Sequence, residues 1–196
     1  MLTRRASLLL VGLLPLALTA CADSAPPRSY PPLRYSYLPP LRLNVASVDI
    51  EQRYVASGEA PDVSQSDPVR PVDALRAMGE DRLKTFGSAG RANLVINNAS
   101  LTQSGDAITG AFAVQLEVFG ADGTRAGFAE AQVTRTRTGE TDDLPAALYD
   151  LTKEMMDAMN VELEYQVRHS LAGWLVPEEA APQPVEQQPL AAPPAT

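Results

Sequence analysis

"AITGAFAVQLEVF" (107–119) decides the fold, because its side chains divide cleanly with a period of two. Ile108, Phe112, Val114, Leu116 and Val118 fall on one face. Thr109, Ala111, Ala113, Gln115 and Glu117 fall on the other. That is the pattern of an antiparallel strand with one face on a core and one in water. Ser104-Gly105-Asp106 turns the chain in front of it, so "RANLVINNASL" (91–101) precedes it as a strand with Ala92, Leu94 and Ile96 on the core face. Behind it, Ala121-Asp122-Gly123 is a hairpin signal. It leads into a strand over about 125–137, whose Gly127, Ala129, Ala131 and Val133 share a face small enough for a helix to approach closely.

The helix for that face is 144–175. Leu148, Leu151, Met155, Met159, Leu163, Val167, Leu171 and Trp174 recur every three or four residues. Glu164 and Arg168 form an i,i+4 pair on another side. Upstream, "PVDALRAMGEDRLKTFG" (71–87) reads as an amphipathic helix opened by Pro71, striped by Val72, Leu75, Met78, Leu83 and Phe86, and stopped by Gly87. "LRLNVASVDIEQRYV" (41–55) alternates as Leu41, Leu43, Val45 and then, in the opposite phase, Val48 and Ile50. One strand with a β-bulge near Ala46-Ser47 restores both sets to one face. The order is β-α-β-β-β-α: a two-layer α+β domain over 41–176, with a four-stranded mixed sheet and two helices on one face. The first β-α-β step is a parallel crossover if its strands are neighbours.

The ends of the chain differ in composition. "ADSAPPRSYPPLRYSYLPP" (22–40) has six prolines and reads as an extended tether. "PEEAAPQPVEQQPLAAPPAT" (177–196) also has six, with no basic residue and little apolar bulk, and reads as a disordered tail. In front of these, Arg4 and Arg5 precede an apolar run from Leu8 to Leu18. That run is shorter than the roughly 20 residues a spanning helix needs, and it fits the h-region of an export signal, 1–20. Cys21 is the only cysteine of 196 residues.

Leu18-Thr19-Ala20-Cys21 resembles the bacterial lipobox. The resemblance implies that Cys21 is diacylglycerol-modified and acylated and becomes the first residue of the mature chain. An ordinary signal cut near Ala20 is the alternative. Lipid on Cys21 leaves no thiol for a disulfide, a metal or a nucleophile, and two or more acyl chains give stable anchoring without a spanning helix. In lipoproteins, aspartate directly after the cysteine goes with inner-membrane retention. Ala22 stands there and Asp23 follows, so the implied place is the periplasmic face of the outer membrane, with the inner membrane as the alternative.

Chemistry is sparse. The chain carries net charge −8, more acidic once Arg4 and Arg5 are removed, which speaks against nucleic acid and against broad adhesion to anionic lipid. There is no Gly-rich phosphate loop and no HExxH motif, and "GSAGR" (87–91) follows a helix where a phosphate loop would precede one. His169, the one histidine, reads as a solvated helix residue. Glu140, Asp142 and Asp143 read as helix-start acids more readily than as a cation site. Asn98-Ala99-Ser100 is a formal glycosylation sequon. No enzyme, cofactor or metal is expected.

Arg135 and Arg137, two apart near a strand end, are candidates for contact with a lipid phosphate. A second candidate comes from helix lengths. At 1.5 Å per residue the helices 71–86 and 144–174 span about 24 and 46 Å, leaving roughly 20 Å of the longer one without a helical neighbour. Val167, Leu171 and Trp174, joined by Val63 and Val69 from the long connector 56–70, are the expected partner surface. The alternative is that this connector closes the gap.

The element order resembles an uncharacterised lipoprotein family of alphaproteobacteria, through "LRLNVASVDIEQRY", "ALRAMGEDRLKTFG" and "RANLVINNASL". By order alone it also resembles LptE-like lipoproteins and the auxiliary lipoproteins of ABC-type lipid transporters. These resemblances imply a non-enzymatic accessory or adaptor in envelope assembly or lipid transport that acts on an envelope protein partner. The alternative is a binder of a small amphiphile or glycan in a cleft beside the long helix.

Overall fold

The computed structural model describes residues 28–139 and 142–177. Cys21, the signal region and most of the 177–196 tail lie outside them. The elements are β1 (Leu41–Leu43), β2 (Ser47–Gln52), α1 (Pro71–Arg82), β3 (Leu83–Thr85), β4 (Arg91–Ser104), β5 (Ala107–Phe119), β6 (Arg125–Thr138) and α2 (Leu144–Ser170). Two 3-10 turns, Ser64–Ser66 and Ala172–Trp174, complete the order. The main sheet is β2-β4-β5-β6, with β2 parallel to β4 and the rest antiparallel. The α+β reading therefore holds, with the four strands mixed as expected.

Packing follows the period-two pattern. Leu94, Leu116 and Ala129 stand in one cross-strand row, and Val114 and Ala131 in the next, all buried. α2 lies over β6 and β5, and α1 over β4. The small residues set the approach: a Cβ at Gly110 would overlap Met155, and one at Gly127 would sit 2.9 Å from Leu171. Gly79 does the same for α1, bringing it onto Leu94 and Ile50.

The segment read as one bulged strand is two strands in two sheets. β1 pairs parallel with β3, the bend 44–46 carries the chain across, and β2 then pairs with β4. The same partner ends α1 early. Leu83 and Phe86 fit the helical stripe, but β1 offers free backbone groups, and at Leu83 the backbone turns extended (φ −89°, ψ 117°). Leu83 remains buried, whereas Phe86 is exposed beneath the Arg42 guanidinium, 4.0 Å from its ring centre. Gly87 serves a close backbone approach to Asn44 rather than a helix stop.

The larger departure concerns the tether. Residues 28–40 form no helix or strand, yet they pack on the domain. Tyr35 is 3% exposed in the core, and Leu33 and Leu38 lie against it. Prolines deny this segment a helix and stiffen it, and the Leu38 N–H on the Tyr35 carbonyl closes a turn within it. Apolar side chains on such a strap can be buried at a smaller entropic cost than on a supple chain.

Candidate functional site

The strap 28–40 joins both helices. At its start Arg28 reaches Asp143 (3.8 Å), Tyr30 stacks edge-on against Tyr149, and the Tyr149 hydroxyl donates to the Pro31 carbonyl (3.0 Å). In the middle Asp81 of α1 accepts from Arg34 Nη2 (2.5 Å), Arg34 Nε (3.0 Å) and the Tyr35 backbone N–H (2.7 Å). Burial alone would raise the Asp81 carboxyl, but these donors hold it below the ordinary range. Burial, with the Asp157 carboxylate nearby, pushes the Tyr35 phenol upward.

Next to it sits the most deeply buried charge among the described residues. Arg82, 2% exposed, donates to Asn160 Oδ1 (2.9 Å), to Glu164 Oε2 (2.6 Å) and to the Pro39 carbonyl (3.0 Å). Glu164 also accepts from Arg168 (2.9 Å). Its burial favours the neutral acid, yet the Arg168 and Arg82 guanidiniums keep its carboxyl below the usual value. Over this network opens a cleft of about 250 Å³ lined by Tyr37, Leu38, Arg82, Asp157, Asn160, Val161 and Glu164. Tyr37 and Val161 are 72% and 71% exposed. A second cleft of about 250 Å³ lies between β2 and the start of α1, with Tyr54, Ser64, Gln65, Arg70 and Val72 in its wall.

The expected partner surface does not assemble. Val167 and Leu171 are buried, Leu171 against Gly127, because the small face of β6 covers the end of α2. Trp174 is half-buried, its carbonyl accepting from Asn44 and its ring on the core. Val63 and Val69 are half-buried at the other end of α2. There the Val63 N–H donates to the Leu101 carbonyl, and Asp67 accepts from Thr152 (2.6 Å). Thr152 and Leu171 lie about 28 Å apart along the helix. The connector thus closes the gap at one end and the strap bridges the helices beside it.

Arg135 is paired with Glu154 (3.0 Å), which occupies the donor expected to meet lipid phosphate. Arg137 lines a shallow depression with Asp150, Lys153, Glu154 and Asp157. Both arginines therefore stand beside the Glu154 carboxylate. His169 is exposed and stacked on Tyr165. Asp143 accepts from the Ala146 N–H (3.1 Å), the helix-start role read from sequence.

Asp81, Arg82 and Asp67 were not legible as site residues. The available signal lay in α2: Thr152 and Asn160 are polar residues in phase with its apolar stripe, and each proves to hold a buried charged partner.

No family model matches the chain, and no curated protein matches it. Among solved structures it is similar to uncharacterized lipoprotein B from Nitrosomonas europaea, at 18% identity, covering 65% of this chain and 86% of that one, with a TM-score of 0.34. It is also similar to a minor lipoprotein from Acinetobacter baumannii, at 10% identity, 66% and 94% coverage and a TM-score of 0.32. Lipoprotein GNA1162 from Neisseria meningitidis gives 9% identity, 58% and 99% coverage and a TM-score of 0.29. No helix among the described residues is long and apolar enough to cross a membrane.

Proposed function

We propose that this protein is a non-enzymatic lipoprotein held at the periplasmic face of the outer membrane by lipid on Cys21, serving there as an accessory or adaptor for an envelope protein. The observation that carries the reading is Leu18-Thr19-Ala20-Cys21 directly behind an eleven-residue apolar run from Leu8 to Leu18. Acyl chains supply about 0.8 kcal/mol per buried CH₂, which suits a chain whose acidic balance gives it little electrostatic attraction to lipid. The second reading, a small amphiphile or glycan bound beside α2, is supported by the cleft whose wall combines Tyr37, Leu38 and Val161 with Arg82, Asp157 and Glu164.

In cells fed a labelled fatty acid, the wild type takes up label and runs as the processed form. Cys21→Ser loses the label and accumulates precursor. Label persisting in the mutant defeats the anchor. Co-purification of a stoichiometric membrane protein from detergent-solubilised envelopes supports the adaptor role. A ligand-induced rise in melting temperature with envelope lipids, without such a partner, supports the second reading.

A further inference from the structure

The strap changes what an anchor at Cys21 means. A tether ending at residue 40 would leave the domain free to adopt any orientation. The chain instead lies on the domain at Arg28, and the contacts there fix where: Arg28 on Asp143, Tyr30 on Tyr149, and the Pro31 carbonyl on the Tyr149 hydroxyl. All lie at the start of α2. Six residues, 22–27, separate Arg28 from Cys21. Seven Cα–Cα steps of at most about 3.6 Å give a reach of about 25 Å.

The start of α2 belongs to one end of the domain. The β4–β5 turn at 104–106 is there, since Ala107 pairs with Thr138 and the Gly139 N–H donates to the Asp106 carbonyl. The opposite end holds the β5–β6 hairpin, closed by the Gly120 N–H on Thr124, and Trp174 against Asn44. Strand β5, Ala107–Phe119, separates the two ends by about 40 Å. The leash is therefore shorter than the domain it holds.

We propose that the end carrying the 104–106 turn, Gly139 and the start of α2 is the face this protein presents to the bilayer. The inference rests on the lipid-anchor reading and adds an orientation to it. The bilayer-facing end mixes Arg28 and Arg137 with Asp106, Asp142 and Asp143, so it is kept near the lipid by the leash rather than by a cationic patch. The acidic whole disfavours lying flat on an anionic surface. The hairpin end, with Phe128 beside Arg125, faces away.

The test uses the full lipidated chain purified from membranes. Its native thiol is acylated, so an introduced cysteine is the sole labelling site. Ser104→Cys marks the near end and Ala121→Cys the far end, each with a donor dye. The protein is reconstituted into vesicles of phosphatidylethanolamine and phosphatidylglycerol bearing a headgroup acceptor. Both variants should float with the vesicles, and energy transfer from position 104 should exceed that from 121 severalfold. A Gly/Ser insert of about fifteen residues between Pro27 and Arg28 should shrink the difference. Flotation with equal or reversed transfer overturns the orientation and leaves the anchor standing. Failure to float overturns the anchor and the orientation with it.

Discussion

Arg82→Met should lower the stability of the domain by about 3–5 kcal/mol, the range for removing one partner of a buried ion pair. The methionine fills similar volume, so the loss comes from what the guanidinium leaves behind. Asn160 Oδ1 and the Pro39 carbonyl lose their donor, and Glu164 keeps only Arg168. Asn160 is the buried acceptor of the two, and leaving it unpaired contributes about 1–3 kcal/mol of that loss. Arg168→Met removes the exposed partner of the same carboxylate and should cost under about 1 kcal/mol. Urea unfolding of both variants checks this, with a midpoint drop of roughly 2 M expected for Arg82→Met alone. Equal small losses in both would show that the Arg82 network is ordinary surface chemistry.

Asp67→Asn should do the reverse and stabilise the protein above neutral pH. Asp67 is 4% exposed, and burial pushes its carboxyl up to about 6, against hydrogen bonds from Thr152 and the Val69 N–H that pull it down. Its folded pKa lies above its unfolded one. Below about pH 4 the carboxyl is neutral in both states and costs nothing. Between there and about pH 6 the folded state holds the proton more tightly, so stability falls as pH rises. Above that the loss is complete, about 3 kcal/mol for a shift of about two units. Asparagine accepts from Val69 and donates to the Thr152 oxygen without that penalty. Denaturation of the two proteins should agree near pH 4 and diverge by up to about 3 kcal/mol by pH 7.5. A difference that does not change with pH would show that the Asp67 charge is not the cause.

What the sequence disclosed and what it concealed have physical grounds. The alternation of 107–119 and the small face Gly127, Ala129, Ala131 are local patterns that only one packing satisfies, and β5, β6 and α2 follow them. The end of α1 is different. Leu83 and Phe86 continue a helical period, and only the distant Leu41–Leu43 backbone makes an extended Leu83 the better choice. Helix lengths alone leave the end of α2 uncovered only if nothing but a helix can cover a helix. β6, the Trp174 turn and the strap share that task, so Val167 and Leu171 are core. In the strap itself the prolines dominate the composition, while Leu33, Tyr35 and Leu38, which secure it, are few and irregularly spaced.

That the chain from Arg28 to Pro40 belongs to the folded domain underlies both the cleft beside α2 and the short leash. Amide hydrogen exchange on the full chain tests it most directly. The Tyr35 N–H, bonded to Asp81, and the Leu38 N–H, bonded to the Tyr35 carbonyl, should exchange as slowly as interior amides of α1 such as Met78. Exchange of both at the rate of an unprotected peptide, with α1 still protected, would contradict the account.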